Sequence, residues 1–195
     1  MKQQFKPQQF IEVALKNNVL KFGEFTLKSG RISPYFFNAG LLATGELLSV
    51  LANGYADVLA NNADNDNLVI FGAAYKGIPF VAATAQALWQ NHGINAEWGY
   101  NRKEAKSHGE GGQLVGADLA GKSVWVIDDV MTAGTAMREV IALLESVNAK
   151  VAGIIVALDR KEKGQGEQSA IQELAQSLNV PVVALVTMDD ITDYV

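Results

Sequence analysis

The residues best suited to chemistry lie in one run, Val124-Trp125-Val126-Ile127-Asp128-Asp129-Val130-Met131-Thr132-Ala133-Gly134-Thr135. Its apolar, β-branched start predicts a buried strand that ends in two adjacent carboxylates. A loop of small residues follows, and then a helical pattern begins. In open α/β sheets, ligands bind beyond the carboxyl ends of the strands. A Thr-Ala-Gly-Thr turn at a helix start can aim backbone N–H groups and two hydroxyls at a phosphate. Asp128 and Asp129 cannot share that phosphate, because like charges repel, but they suit the hydroxyls of a sugar. The chemistry implied is recognition of a phosphorylated sugar. On these residues alone a plainer alternative stays open, in which the acids are solvated and Thr135 only caps a helix.

A second cluster sits in the polar, glycine-rich segment Asn101 to Gly116, NRKEAKSHGEGGQLVG, where Arg102, Lys103, Lys106 and His108 supply potential cations. It is long for an α/β connection, and such loops often act as closing lids. Glu104 and Glu110 temper the charge, so a solvated surface loop is the competing reading. A third motif misleads. Gly116 to Ser123, GADLAGKS, satisfies the G-x-x-x-x-G-K-[ST] phosphate-loop pattern. That motif works only when a strand precedes it and a helix N-terminus follows. Here a glycine-rich segment precedes and an apolar strand pattern follows, so a turn feeding a strand is expected.

The elements that must position these residues can be read from periodicity. Phe10, Ile11, Ala14, Leu15 and Val19 recur at helical spacing behind Pro7. Phe25 and Leu27 alternate with Thr26 and Lys28 as in a half-buried strand, and Ser29-Gly30-Arg31 reads as a turn. Thr44 to Asn61 predicts a helix with Thr44 as N-cap. Short apolar runs then alternate with helical stretches. The strands are expected at Leu68–Phe71, Ala96–Tyr100, Val124–Ile127, Val151–Leu158 and Val182–Val186. The helices are expected at Ile78–Trp89, Thr135–Val147 and Glu167–Leu178. Buried strands separated by helices predict an α/β fold, a mostly parallel central sheet covered on both faces. One domain over 1–195 is expected: an N-terminal helix and hairpin hood over 1–43, and a core over 44–195 with a mobile loop at 101–116.

Composition narrows the classes. The 195 residues are 49% hydrophobic and 19% charged, enough for a real core. A net charge of −5 and a pI near 5.0 speak against a general nucleic-acid binder. With no cysteine, disulfides and thiolate metal sites are excluded. Met1 to Phe10 is polar and Gln-rich, unlike a secretion signal, and no apolar run approaches the ~20 residues of a membrane span. A soluble, cytoplasmic protein is the expectation.

Val124 to Thr135 resembles the motif of the type I phosphoribosyltransferases that binds 5-phosphoribosyl-1-diphosphate (PRPP). Four other segments resemble more narrowly the bacterial orotate phosphoribosyltransferases: Phe22–Gly40 (FGEFTLKSGRISPYFFNAG), Gly72–Pro79 (GAAYKGIP), Asn101–Gly112 (NRKEAKSHGEGG) and Leu158-Asp159-Arg160. They occur in order and span most of the chain. The resemblance implies transfer of a phosphoribosyl group from PRPP to orotate, with catalytic roles for Lys28, Lys103, Asp128 and Asp129. It implies PRPP contacts from Lys28, Tyr75, Lys76, Arg102, Lys103, Lys106 and His108, and from Asp128, Asp129, Val130, Met131, Thr132, Ala133, Gly134, Thr135 and Ala136. Orotate would meet Phe36, Phe37, Thr132 and Arg160, the phenylalanines chiefly through their backbone, although both could equally be core residues. An arginine can grip the orotate carboxylate with two parallel bonds. The resemblance also implies a non-proline cis peptide at Ala74–Tyr75 and a homodimer in which loop 101–116 closes over the neighbouring site. Mg²⁺ is expected, held mainly through PRPP and not by a protein metal site.

Two rivals stay open at this stage: a purine phosphoribosyltransferase, and a nucleotide-sensing regulator without turnover. The chain stops at Asp193-Tyr194-Val195, soon after the last expected strand, where bacterial relatives commonly continue into a terminal helix.

Overall fold

The computed structural model describes residues 5–26, 30, 32–106, 112–131, 134–161 and 168–195, leaving out the side chains of 105 and 106. Pro7 opens helix α1 (Pro7–Lys16), which buries Phe10, Ile11 and Ala14. Val19 is buried too, but beyond the helix, after Asn18 turns the chain with φ 58°. Strands β1 (Leu20–Thr26) and β2 (Ile32–Phe37) then pair antiparallel as a hairpin. β1 begins at Leu20, earlier than the alternation at Phe25 suggests. The pairing register shifts between Phe22 and Phe25, around Gly23 at φ 151°, and that irregularity hides the period-two pattern.

Helix α2 (Gly45–Asn62) starts where Thr44 predicts it, the threonine side chain accepting from the Leu47 N–H. The body then alternates through β3 (Val69–Gly72), α3 (Gly77–Ala87), β4 (Glu97–Lys106), β5 (Gly112–Gly116), β6 (Ser123–Val130), α4 (Thr135–Ser146), β7 (Lys150–Asp159), α5 (Ala170–Leu178), β8 (Val182–Thr187) and α6 (Met188–Tyr194). The six larger-sheet strands run in the order β5-β4-β3-β6-β7-β8, parallel except for β5 at one edge. Alternation along β6 sends Trp125 and Ile127 to one face, with Leu51, Tyr55 and Leu59 of α2 and Phe80 and Val81 of α3. Val124 and Val126 go to the other face, with Met137, Ile141 and Leu144 of α4 and Leu174 of α5. This is the doubly covered, mostly parallel sheet the pattern implied.

Two expectations change. The segment from Asn101 to Gly116, read as a loop, carries strand structure at both ends, with Asn101 opposite Leu114 and Lys106 opposite Gly112. Past Tyr100, β4 has left β3 and pairs only with β5, and charged residues along so open a strand mimic a loop in sequence. The chain's end is also helical. In α6, Thr187 and Asp190 form a capping box and Ile191 is buried, the helix packing on α1 and β8. The misleading GADLAGKS segment behaves as expected: it turns at Gly121 and enters β6, and Lys122 pairs with Glu97 at 2.6 Å, with no helix behind it.

Candidate active site

The parallel strands bring three chain crossings to one level. Gly72 of β3 lies beside Tyr100 of β4 and Ile127 of β6. Beyond that level stand Ala73, Asn101 and Asp128, at the carboxyl edge where α/β sheets hold ligands. A cavity of about 720 Å³ opens there. Ala73, Ala74, Tyr75 and Lys76 line one side of it. Asn101, Arg102, Lys103 and Gln113 line another, and Asp128, Asp129, Val130 and Ala136 complete the rim with Glu139 of α4.

The turn after β3 is held tightly. The Gly77 N–H donates to Ala73 O at 2.8 Å and the Ile78 N–H to Tyr75 O at 3.2 Å. A Cβ on Gly72 would stand 2.1 Å from the Gly77 carbonyl oxygen, so only glycine allows strand and helix to approach this closely. The Ala74–Tyr75 peptide is cis, as the resemblance implied. Tyr75 and Lys76 are left exposed on the outside of the turn.

The acid pair ends β6. The Asp129 carboxylate receives Lys76 Nζ at 2.8 Å, and Asp128 Oδ1 accepts the Asp129 N–H at 2.8 Å. Burial, and then the neighbouring Asp129 charge, push the Asp128 carboxyl up to about 7. Tyr55, fully buried in α2, donates its hydroxyl to the Asp128 carbonyl at 2.8 Å and ties the strand end to the helix layer. Burial raises that phenol well above its ordinary range, so it stays a donor. Met131 is buried, and Gly134 at φ 74° precedes Thr135 at the first turn of α4, leaving Thr135 and Ala136 exposed.

Arg102 and Lys103 reach the cavity from β4, and Arg102 Nη1 donates to Gly112 O at 3.3 Å. Arg160 follows β7 on the same edge, its guanidinium carbon 5.9 Å from the ring centroid of Tyr35 in β2. The hairpin therefore meets the sheet at this arginine. Phe36 is part exposed and packs on Phe25, whereas the Phe37 side chain is buried against Phe10, so only its backbone could serve a ligand. Lys28, His108, Thr132 and Ala133, and the Lys106 side chain, lie outside the described residues.

Sequence reading missed Asn101, whose side-chain oxygen accepts the Ala74 N–H at 2.8 Å, and it missed Tyr55. Both act on backbone far along the chain, so no local spacing announces them.

The model of the phosphoribosyl transferase domain family matches residues 41–186. An orotate phosphoribosyltransferase of Acinetobacter baumannii is 66% identical over 97% of this chain and 87% of its own length. The chain belongs to the orotate phosphoribosyltransferase family. Another family member, from Chromohalobacter salexigens, is 53% identical, covering 100% of this chain and 85% of its own length. The crystal structure of the Francisella tularensis orotate phosphoribosyltransferase superposes with a TM-score of 0.85 at 49% identity, over 95% of this chain and 89% of that one. The fold is that of the type I phosphoribosyltransferases, and within it the turn after β3, the acid pair of β6 and the cations of β4 line one cavity.

Proposed function

We infer that the chain is an orotate phosphoribosyltransferase, which transfers the 5-phosphoribosyl group of PRPP to orotate, giving orotidine 5'-phosphate and pyrophosphate in pyrimidine biosynthesis. The observation that carries this reading is the convergence of Lys76, Arg102 and Lys103 with Asp128 and Asp129 around one cavity at the carboxyl edge of the sheet. Cations there suit the diphosphate, and the paired acids suit the ribose hydroxyls. The start of α4, with Gly134 and Thr135, suits the 5-phosphate. Arg160, beside the hairpin, is the cation assigned to the orotate carboxylate, with Lys28, Phe36, Phe37 and Thr132 assigned to the same end.

In the reaction, N1 of orotate attacks C1 of the ribose while the bond from C1 to the diphosphate oxygen breaks. The electron pair leaves on pyrophosphate, and no covalent bond to the protein is required. Lys103 and Arg102 face the growing negative charge, where fixed cations lower the barrier. Closure of the 101–116 segment would keep water out. Among the described residues, no group of three or more His, Asp or Glu side chains gathers to hold a metal. Asp128 and Asp129 do offer the hard oxygen atoms that Mg²⁺ prefers, which fits an ion carried mainly by PRPP. Bound there, Mg²⁺ would neutralise diphosphate charge.

A homodimer sharing the 101–116 segment is part of this reading. It is supported by exposed aromatic surface on the α3 and β4 side: Trp89 is 60% exposed, and Trp98 is 38% exposed and stacked on Tyr100. No helix among the described residues is long and apolar enough to cross a membrane, and we assign the protein to the cytoplasm. The deciding assay is pyrophosphate release from PRPP in the presence of orotate, with adenine, guanine and hypoxanthine as competitors. Release that depends on orotate supports the reading. Release with a purine alone, or none with any base, overturns it.

A further inference from the structure

We propose that Asn101 is a positioning residue that holds the turn between β3 and α3 in the shape that receives the diphosphate of PRPP. The proposal rests on the reading above and adds a residue to it. Asn101 stands where β4 leaves its parallel partner: Tyr100 is the last residue opposite β3, and Asn101 already pairs with Leu114 of β5. Its side chain therefore points into the gap left as β3 turns away. There Oδ1 accepts the Ala74 N–H at 2.8 Å, across a separation of 27 residues.

The other backbone hydrogen bonds of that turn run along the chain, from Gly77 to Ala73 and from Ile78 to Tyr75. Among the described residues, its one other long-range tie is through the exposed Lys76 side chain to Asp129. Asn101 supplies the tie to the backbone from outside. With Ala74 bound, the N–H groups of Tyr75 and Lys76 have no partner among the described residues and remain donors for a ligand oxygen. The next two residues after Asn101 are Arg102 and Lys103, both on the cavity wall. One amide side chain thus fixes the distance between the backbone donors of the turn and the cations of β4. A bidentate or bridging polyanion reads that distance, whereas orotate, at the Arg160 end, does not.

Asparagine suits the position because the amide oxygen accepts without carrying charge. An aspartate would accept the same N–H, but it would add a third carboxylate beside Asp128 and Asp129, where a polyanion must bind. The two substitutions therefore test two parts of the claim. Asn101→Ala removes the acceptor, and Asn101→Asp keeps it and adds charge.

The test is steady-state kinetics of the full-length protein, with KM for PRPP and for orotate and the inhibition constant of pyrophosphate, alongside a thermal melt. Asn101→Ala should raise the PRPP KM and the pyrophosphate constant together, roughly tenfold. The orotate KM should stay within about twofold, and the melting temperature should barely move, because one half-buried hydrogen bond contributes little to folding. Asn101→Asp should melt like the parent and yet weaken pyrophosphate at least as much. If Asn101→Ala does not fold, Asn101→Asp decides alone. Parental pyrophosphate binding in the variant, or an equal rise in both KM values with a lowered melting temperature, would overturn the inference. A parent that turns over no PRPP with orotate would overturn the functional reading itself, a separate outcome seen before any variant is made.

Discussion

Lys76 Nζ lies 2.8 Å from Asp129 Oδ2, which links the turn after β3 to the end of β6 across the mouth of the cavity. The lysine side chain is 54% exposed and the aspartate 13%. An exposed ammonium contributes little to folding, typically about 0–1 kcal/mol. It is well placed, however, to exchange its carboxylate for a diphosphate oxygen. Lys76→Ala should melt within about 2 °C of the parent while kcat/KM for PRPP falls on the order of 10². A large loss of melting temperature with near-parental kinetics would show that the pair serves the fold.

Asp128 makes stability depend on pH in a defined direction. Burial, and then the Asp129 charge, raise its carboxyl from 3.8 to about 7. Between those values the folded protein keeps a proton that the unfolded chain has released. The stabilisation is complete below about pH 4 and is lost as the pH rises through about 7. Asp128→Asn fixes the neutral form. The variant should match the parent's melting temperature near pH 4 and exceed it by a few degrees at pH 8, with the gap opening between. Thermal melts across that range check this, and a gap that does not change with pH would count against it.

What could be read in advance divides along physical lines. The strand, acid pair, glycine and helix start from Val124 to Thr135 were legible because each feature is local: β-branched residues, adjacent charges, a positive-φ glycine. Thr44 was legible for the same reason. The strand structure at the two ends of Asn101 to Gly116 was not, because charges spaced along the part of β4 that has left β3 look like a loop. Phe37 left two readings open, core or ligand, until its ring was seen against Phe10. Asn101 and Tyr55 could not be found at all, since each side chain meets backbone that only the sheet and helix layers bring near.

Tyr55 tests that last class of contact. Its hydroxyl is the donor to the Asp128 carbonyl in a buried setting. Tyr55→Phe keeps the ring and leaves the carbonyl short of a donor, a loss of about 1–2 kcal/mol. A denaturation midpoint lowered with an unchanged slope would read this out. Activity should fall as well, because the strand end that carries both acids loses its tether to α2. A variant as stable as the parent would mean that water replaces the hydroxyl there.

The cations of β4 give the sharpest kinetic prediction, and they also test the dimer. Lys103 is exposed on the cavity wall and carries no packing role, so Lys103→Ala should fold normally. It should lose turnover by about 10²–10³, the usual effect of removing one group that meets transition-state charge. Near-parental turnover would remove the segment from the mechanism. Asp129 sits on β6, which stays with its own chain. Lys103 lines the same cavity as Asp129 within one chain, so the dimer is tested with Lys106, at the end of β4. If that end of the segment crosses to a neighbour, each site draws Lys106 from one subunit and Asp129 from the other. Mixing Lys106→Ala with Asp129→Asn then gives hybrids with one site damaged twice and one site intact. Random exchange makes half of the dimers hybrid, so the mixture should regain about a quarter of parental activity. If each site is built from one chain, every site keeps one defect and the mixture stays as inactive as its parts.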